Sequence, residues 1–143
     1  MKIDRELVRQ KFNGLCAYSG KPLDDKWQVD HMLSKCRFGY SLQGKCDTRE
    51  IYESRLKEVH HIDNLLPALR RVNHYKRALD LEGFRKYMLT FHLRLSKLPK
   101  KTLSYETHKR IEYMKDIANI FDITVDKPFS GVFYFETVNK NVT

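Results

Sequence analysis

Leu81, Phe84, Met88, Phe91, Leu95 and Leu98 recur at alternating spacings of three and four residues and stop at Pro99. Side chains so spaced share one face of a helix, so this stretch is predicted to be one strongly amphipathic helix. Its apolar stripe must be covered, and the chain offers the partners. Ile3, Leu7, Val8 and Phe12 predict a short first helix that Asn13-Gly14 breaks, and Ile111, Met114, Ile117 and Phe121 mark a later one. Apolar residues make up 41% of the 143 positions, which suits a folded chain of one domain rather than a disordered one.

Strand signals lie on either side of these helices. Cys16 to Leu23 reads as a strand and tight turn, and Asp24-Asp25 leads into Trp27-Gln28-Val29-Asp30-His31, where apolar and polar residues alternate. The two are expected to form a hairpin whose second strand ends on Asp30-His31. Met32 to Lys45 is expected to be a basic loop, and Asp47 to Val59 a helix capped by Asp47 or Thr48. Pro67 suits the first turn of a helix, where its missing N–H costs nothing. On that helix Arg70, Asn73 and Arg77 share a face opposite Leu69, Val72 and Leu79. Ile123-Thr124-Val125 and Val132-Phe133-Tyr134-Phe135 are expected to close the chain as a hairpin around Pro128 and Ser130-Gly131.

Charge narrows the partners. Twenty-seven Lys and Arg against 18 Asp and Glu leave a net charge of +9, and such a surface attracts phosphate backbones by releasing their counterions. No apolar run reaches the roughly 18–20 residues of a membrane span. Met1-Lys2-Ile3-Asp4-Arg5-Glu6 is charged, unlike a signal peptide, so a cytoplasmic location and no membrane partner are expected. Cys16, Cys36 and Cys46 are odd in number and irregularly spaced, as expected of free thiols in a reducing compartment.

Phosphodiester hydrolysis needs a hard cation, a general base of near-neutral pKa and cationic groups along the backbone. Asp30 offers a carboxylate ligand, Asn73 an amide oxygen and His31 a base. Adjacent strand residues point to opposite faces, so Asp30 and His31 can share a centre only at a strand end or bend. Taken singly, each residue has an ordinary reading: Asn64 as a turn cap, Asn73 as an exposed helix residue, Trp27 and the Phe84–Leu95 stripe as core, Lys100-Lys101 as a solvated turn. His60, His61 and His74 are alternative ligands or bases.

The joint order of three segments changes the weight. Trp27-Gln28-Val29-Asp30-His31-Met32, Ile62-Asp63-Asn64-Leu65-Leu66-Pro67 and Val72-Asn73-His74-Tyr75-Lys76 resemble the signature of HNH endonucleases of the ββα-metal superfamily. The nine-residue step from Asn64 to Asn73 resembles that in the nuclease domain of RNA-guided effectors. Gly14 to Lys21 resembles the strand that opens many members, and the likeness covers residues 12 to 80. The variety is similar to small stand-alone HNH proteins of phages and bacteria.

The resemblance implies an α+β fold. Its parts would be a ββα-metal core over about 12–80, an insert over about 35–59, and a helical extension with a small β-hairpin over about 81–143, all in one domain 1–143. It implies His31 as general base, Asn64 as organiser of the His31 ring and its loop, and Asp30 and Asn73 as ligands of Mg²⁺ or Mn²⁺. Arg70, Lys76, Arg77, Lys35 and Arg37 would contact nucleic acid, with double-stranded DNA the expected substrate. Many members hold a structural zinc with paired Cys-x-x-Cys elements. Here Cys16-Ala17-Tyr18-Ser19 has one cysteine and Arg70 to Asn73 has none, so no zinc is expected. About 32 residues separate His31 from Asn64, more than in compact members. A dimer through the extension after Asp80 would allow two-strand cutting. Two other readings are a catalytically silent nucleic-acid-binding module and a component of a phage machine that cuts only with its partner.

Overall fold

Asp4 opens the first helix, α1 (Arg5–Gln10), by accepting the N–H groups of Glu6 and Leu7 at 3.1 and 3.3 Å. Asn13 and Gly14 then turn the chain out of the helix with φ of 55° and 81°. The computed structural model describes residues 2–32, 60–101 and 104–139. Among them lie two strands, β1 (Gln28–His31) and β2 (Leu65–Ala68), a 3₁₀ turn (Ile62–Asn64), and helices α2 (Arg70–Lys76), α3 (Leu81–Leu89), α4 (Phe91–Ser96), α5 (Tyr105–Ile120) and α6 (Tyr134–Asn139). The fold is α+β, mostly helical around one small antiparallel sheet.

The sheet is not the expected hairpin. β1 pairs with β2, 34 residues further on, in the register Gln28↔Ala68, Val29↔Pro67, Asp30↔Leu66 and His31↔Leu65. Residues 15–22 instead form a tight knuckle, with one bridge between Leu15 and Pro22 and Cys16 N–H bonded to Lys21 O at 2.8 Å. Burial explains the exchange. Cys16, Ala17 and Tyr18 are all buried, so the knuckle lies inside the molecule, and Leu65 to Ala68 is a short apolar run buried along its whole length. The insert over 35–59 and the helix expected over 47–59 lie outside the described residues.

Pro67 therefore sits in a strand rather than in the first turn of a helix, and α2 begins three residues later. The placement is possible because Pro67 turns its backbone polar edge away from β1: its carbonyl accepts the Ala17 N–H at 2.8 Å. The missing N–H is thus not one the ladder uses.

The expected 81–98 helix is divided at Thr90 (φ −103°, ψ 4°) into α3 and α4. Thr90 Oγ1 donates to the Tyr87 carbonyl at 3.2 Å and Arg94 donates to the same carbonyl at 2.6 Å. Side-chain donors have replaced the helical bond there. The stripe survives the break, because Phe84, Met88 and Phe91 are all fully buried.

The C-terminal segment is also not the expected hairpin. Thr124 and Lys127 form a single bridge, and Tyr134–Asn139 is helical. Glu136 Oε1 accepts the Phe133 N–H at 2.9 Å and closes the first turn. Phe133 and Phe135 enter the same core as Tyr18 and Phe84, with Tyr18–Phe133 and Phe84–Phe133 centroids 5.3 and 5.2 Å apart. A strand-like aromatic run has been taken into a helix by tertiary packing. No described helix is long and apolar enough to cross a membrane.

Candidate functional site

β1, β2 and α2 follow one another in chain order and bring the three motif segments together. Polar contacts join β1 to α2 at two levels. Asn73 Nδ2 donates to Gln28 Oε1 at 2.8 Å. Lys76 Nζ lies 3.1 Å from Asp30 Oδ2 and 3.4 Å from Oδ1. Gln28 and Asp30 are two residues apart on a strand, and Asn73 and Lys76 three apart on a helix. Each pair therefore presents one face to the other. The sheet's second strand closes the arrangement, since the Met32 N–H donates to the Asn64 carbonyl at 2.8 Å, just beyond the His31↔Leu65 pair.

Asp30 is 6% exposed and holds three charge-stabilising contacts: Lys76 at both oxygens and a short hydrogen bond from the Tyr18 hydroxyl to Oδ2. Burial nonetheless pushes its carboxyl above the usual Asp value, outweighing Lys76 and Tyr18, which pull it down. Tyr18 is pushed well above its ordinary pKa, first by burial and then by the Asp30 charge. Lys76, expected to contact phosphate, is placed beside Asp30 instead. Its side chain is fully buried, because an ammonium beside a buried carboxylate must stay there to compensate it.

His31, the last residue of β1, is half-buried, and its Nε2 lies 3.2 Å from Nδ1 of His60 with the rings near-perpendicular. Asp30 and His31 thus contact different partners, as alternation along a strand requires, and they are neighbours at the strand's end. Asn64 ends the 3₁₀ turn, and its backbone holds the chain next to His31. Lys11 clamps the same turn, donating to the carbonyls of Ile62 and Leu65 at 2.7 and 2.6 Å, and burial lowers its pKa. Arg70 and Arg77 are exposed at the two ends of α2, with Arg77 at φ 56° beyond its last turn. Lys35 and Arg37 lie outside the described residues. His61 is exposed and caps the 3₁₀ turn, and His74 stands edge-on to Tyr113.

Three residues of the centre went unassigned or underweighted in the sequence reading. Tyr18 carries no local signal, since its role depends on a knuckle 12 residues before its partner. Gln28 was legible in principle as the same-face neighbour of Asp30. His60 was named only as an alternative, and the β1–β2 pairing is what draws it to His31.

Asp30 and Asn73 are the oxygen donors that the expected cation would use. The Asn73 Oδ1 accepts no hydrogen bond among the described residues, since its amide is engaged through Nδ2. Asp30 supplies a carboxylate that a cation would share with Lys76 and Tyr18. Among the described residues no group of three or more His, Cys, Asp or Glu converges on one point. Two protein ligands completed by water and phosphate are what Mg²⁺ ordinarily uses. Comparison with family models, curated proteins and solved structures finds no match.

Proposed function

We propose that this protein is a divalent-metal-dependent endonuclease of the HNH type, acting on DNA. One observation carries the reading. Three chain segments, carrying His31 at the end of β1, Asn64 just before β2 and Asn73 in the middle of α2, form a strand, a paired strand and a helix joined to the first strand by the Asn73–Gln28 and Lys76–Asp30 contacts. The +9 charge supports a polyanionic substrate.

In this reading His31 takes the proton of the attacking water, and His60 fixes the His31 ring from the side of Nε2. Asn64 holds the strand ends together through its carbonyl. Asp30 and Asn73 would hold Mg²⁺ or Mn²⁺, which supplies charge neutralisation at the phosphate and the departing oxygen. Lys76 and Tyr18 orient the Asp30 carboxylate and partly offset the burial that raises its pKa. Arg70 and Arg77 meet the flanking backbone.

Incubation of supercoiled plasmid with Mg²⁺, Mn²⁺ or chelator tests this. Cleavage by the wild type, lost with chelator and reduced about a hundredfold or more in His31→Ala, is the expected result. No cleavage of duplex, single-stranded DNA or RNA with either metal would refute it. A second reading is favoured by the Lys76–Asp30 pair, in which an ammonium already neutralises the carboxylate: a nucleic-acid-binding module without catalysis. Retained binding together with no cleavage by the wild type would select it.

A further inference from the structure

Beside the centre just described, the start of α2 and the middle of α5 enclose a cleft of about 560 Å³, floored by Leu69 and Ile120. One wall is tied down. Arg71 pairs with Asp116 at 2.9 Å and lies over the Tyr113 ring at 5.2 Å, while the Tyr113 hydroxyl donates to the Arg71 carbonyl at 3.3 Å. Arg71 and Asp116 cancel one another. The cleft is also lined by Arg70 and Lys26, both exposed, whose side chains form no ion pair or hydrogen bond among the described residues. The other carboxylate in the cleft, Asp24, accepts the Lys26 backbone N–H at 3.0 Å and so caps its own turn. With Asp24 counted, the lining holds three cations and two carboxylates, a net charge of +1, and Arg70 and Lys26 are the cations without a side-chain partner among the described residues.

The cleft shares α2 with the site. Arg70 precedes Asn73 by one helical turn, roughly 5–6 Å, and Lys26 lies in the turn two residues before Gln28, the partner of Asn73. A strand with one phosphate near Asn73 would bring a flanking phosphate toward Arg70, one helical turn away. We propose that this cleft binds the sugar–phosphate backbone of one nucleic-acid strand flanking the cleaved bond, with Arg70 and Lys26 as its cationic contacts and α5 as its far wall. The proposal rests on the nuclease reading for which bond is flanked, but the binding it describes requires no cleavage. It gives α5 a part in substrate binding. Backbone contacts of this kind position a strand without reading its bases.

The test is binding of short fluorescent oligonucleotides, single-stranded and duplex, in chelator and across a range of salt. Wild type is compared with Arg70→Gln/Lys26→Gln and with Lys86→Gln/Lys97→Gln, which removes the same charge from exposed positions that do not line the cleft. The cleft pair is expected to weaken binding about tenfold and to flatten the slope of log K against log salt by roughly 1.4 for single strands. The control pair should change both much less, and thermal melting should be unchanged in each. Equal effects of the two pairs would overturn the cleft, as would absence of binding by the wild type or saturation of the cleft by inorganic phosphate without oligonucleotide binding. Binding through the cleft with no plasmid cleavage would refute the nuclease reading alone. Cleavage with undiminished binding by the cleft variant would refute the cleft alone.

Discussion

Lys76 and Asp30 face each other with side chains 0% and 7% exposed, 3.1 Å apart. An isolated buried charge costs several kcal/mol, so each of these residues depends on the other. Lys76→Met should destabilise the fold by about 3–5 kcal/mol, because it leaves the carboxylate uncompensated. Lys76→Met/Asp30→Asn should recover most of that loss in urea unfolding, and a double variant as unstable as the sum of both singles would show the pair to be uncoupled. Tyr18 adds a pH dependence. Its hydroxyl keeps its proton in the fold well above pH 10, while the unfolded chain loses it near the ordinary value of 10.0. The folded state then binds more protons than the unfolded one, so stability is full below pH 10 and falls as pH rises beyond it. Tyr18→Phe should cost about 1–3 kcal/mol at neutral pH, since Asp30 loses a donor. It should also flatten the decline of Tm above pH 10 by the effect of one proton. An unchanged alkaline slope in the variant would contradict the assignment.

At the scale of elements, α6 is held to α3 by a side-chain clasp rather than by strand pairing. Arg85 donates to both Glu136 oxygens at 2.7 Å and to the Gly131 carbonyl at 2.6 Å, in addition to Glu82 on its own helix. A bidentate, half-buried contact of this type is among the stronger ones available. Arg85→Met should cost about 2 kcal/mol and should lower hydrogen-exchange protection of residues 132–138 before that of α5. Uniform loss of protection across the molecule would show that the clasp is not local. The strand-like composition of Val132 to Phe135 did not reveal this, because propensity describes a half-buried pleated surface. Here four aromatic rings outside the segment set the environment. The break at Thr90 was equally hidden: the apolar period runs through it undisturbed, and the donors that cause it, exposed Thr90 and half-buried Arg94, are polar residues outside that period.

For the whole molecule, one core gathers side chains from Phe12 to Phe135, and the strand–strand–helix unit is embedded in it rather than standing apart. The extension after Asp80 therefore supports the centre from behind, through Phe84 and Phe133 against Tyr18, the donor to Asp30. With one proposed site per chain, plasmid cleavage should pass through nicked circles before linear molecules accumulate. Direct conversion of supercoiled to linear DNA would show two chains acting together, and sedimentation at the assay concentration would report that association.

The order of motifs, the helical stripe from Leu81 to Leu98 and the basic charge are properties of the sequence alone. Their signal is local: a period of 3.6, a charge count, a short run of residue types. The sequence also determined that Asp30, His31, Asn64 and Asn73 were the residues to examine. Tertiary structure decided which strand β1 would pair with, that Pro67 belongs to that strand, and that Lys76 turns inward. It decided too that Tyr18 and His60 join the centre. Each of these is settled by burial against partners from 12 to 46 residues away, and no local pattern encodes the free energy of a contact whose other half lies that far along the chain.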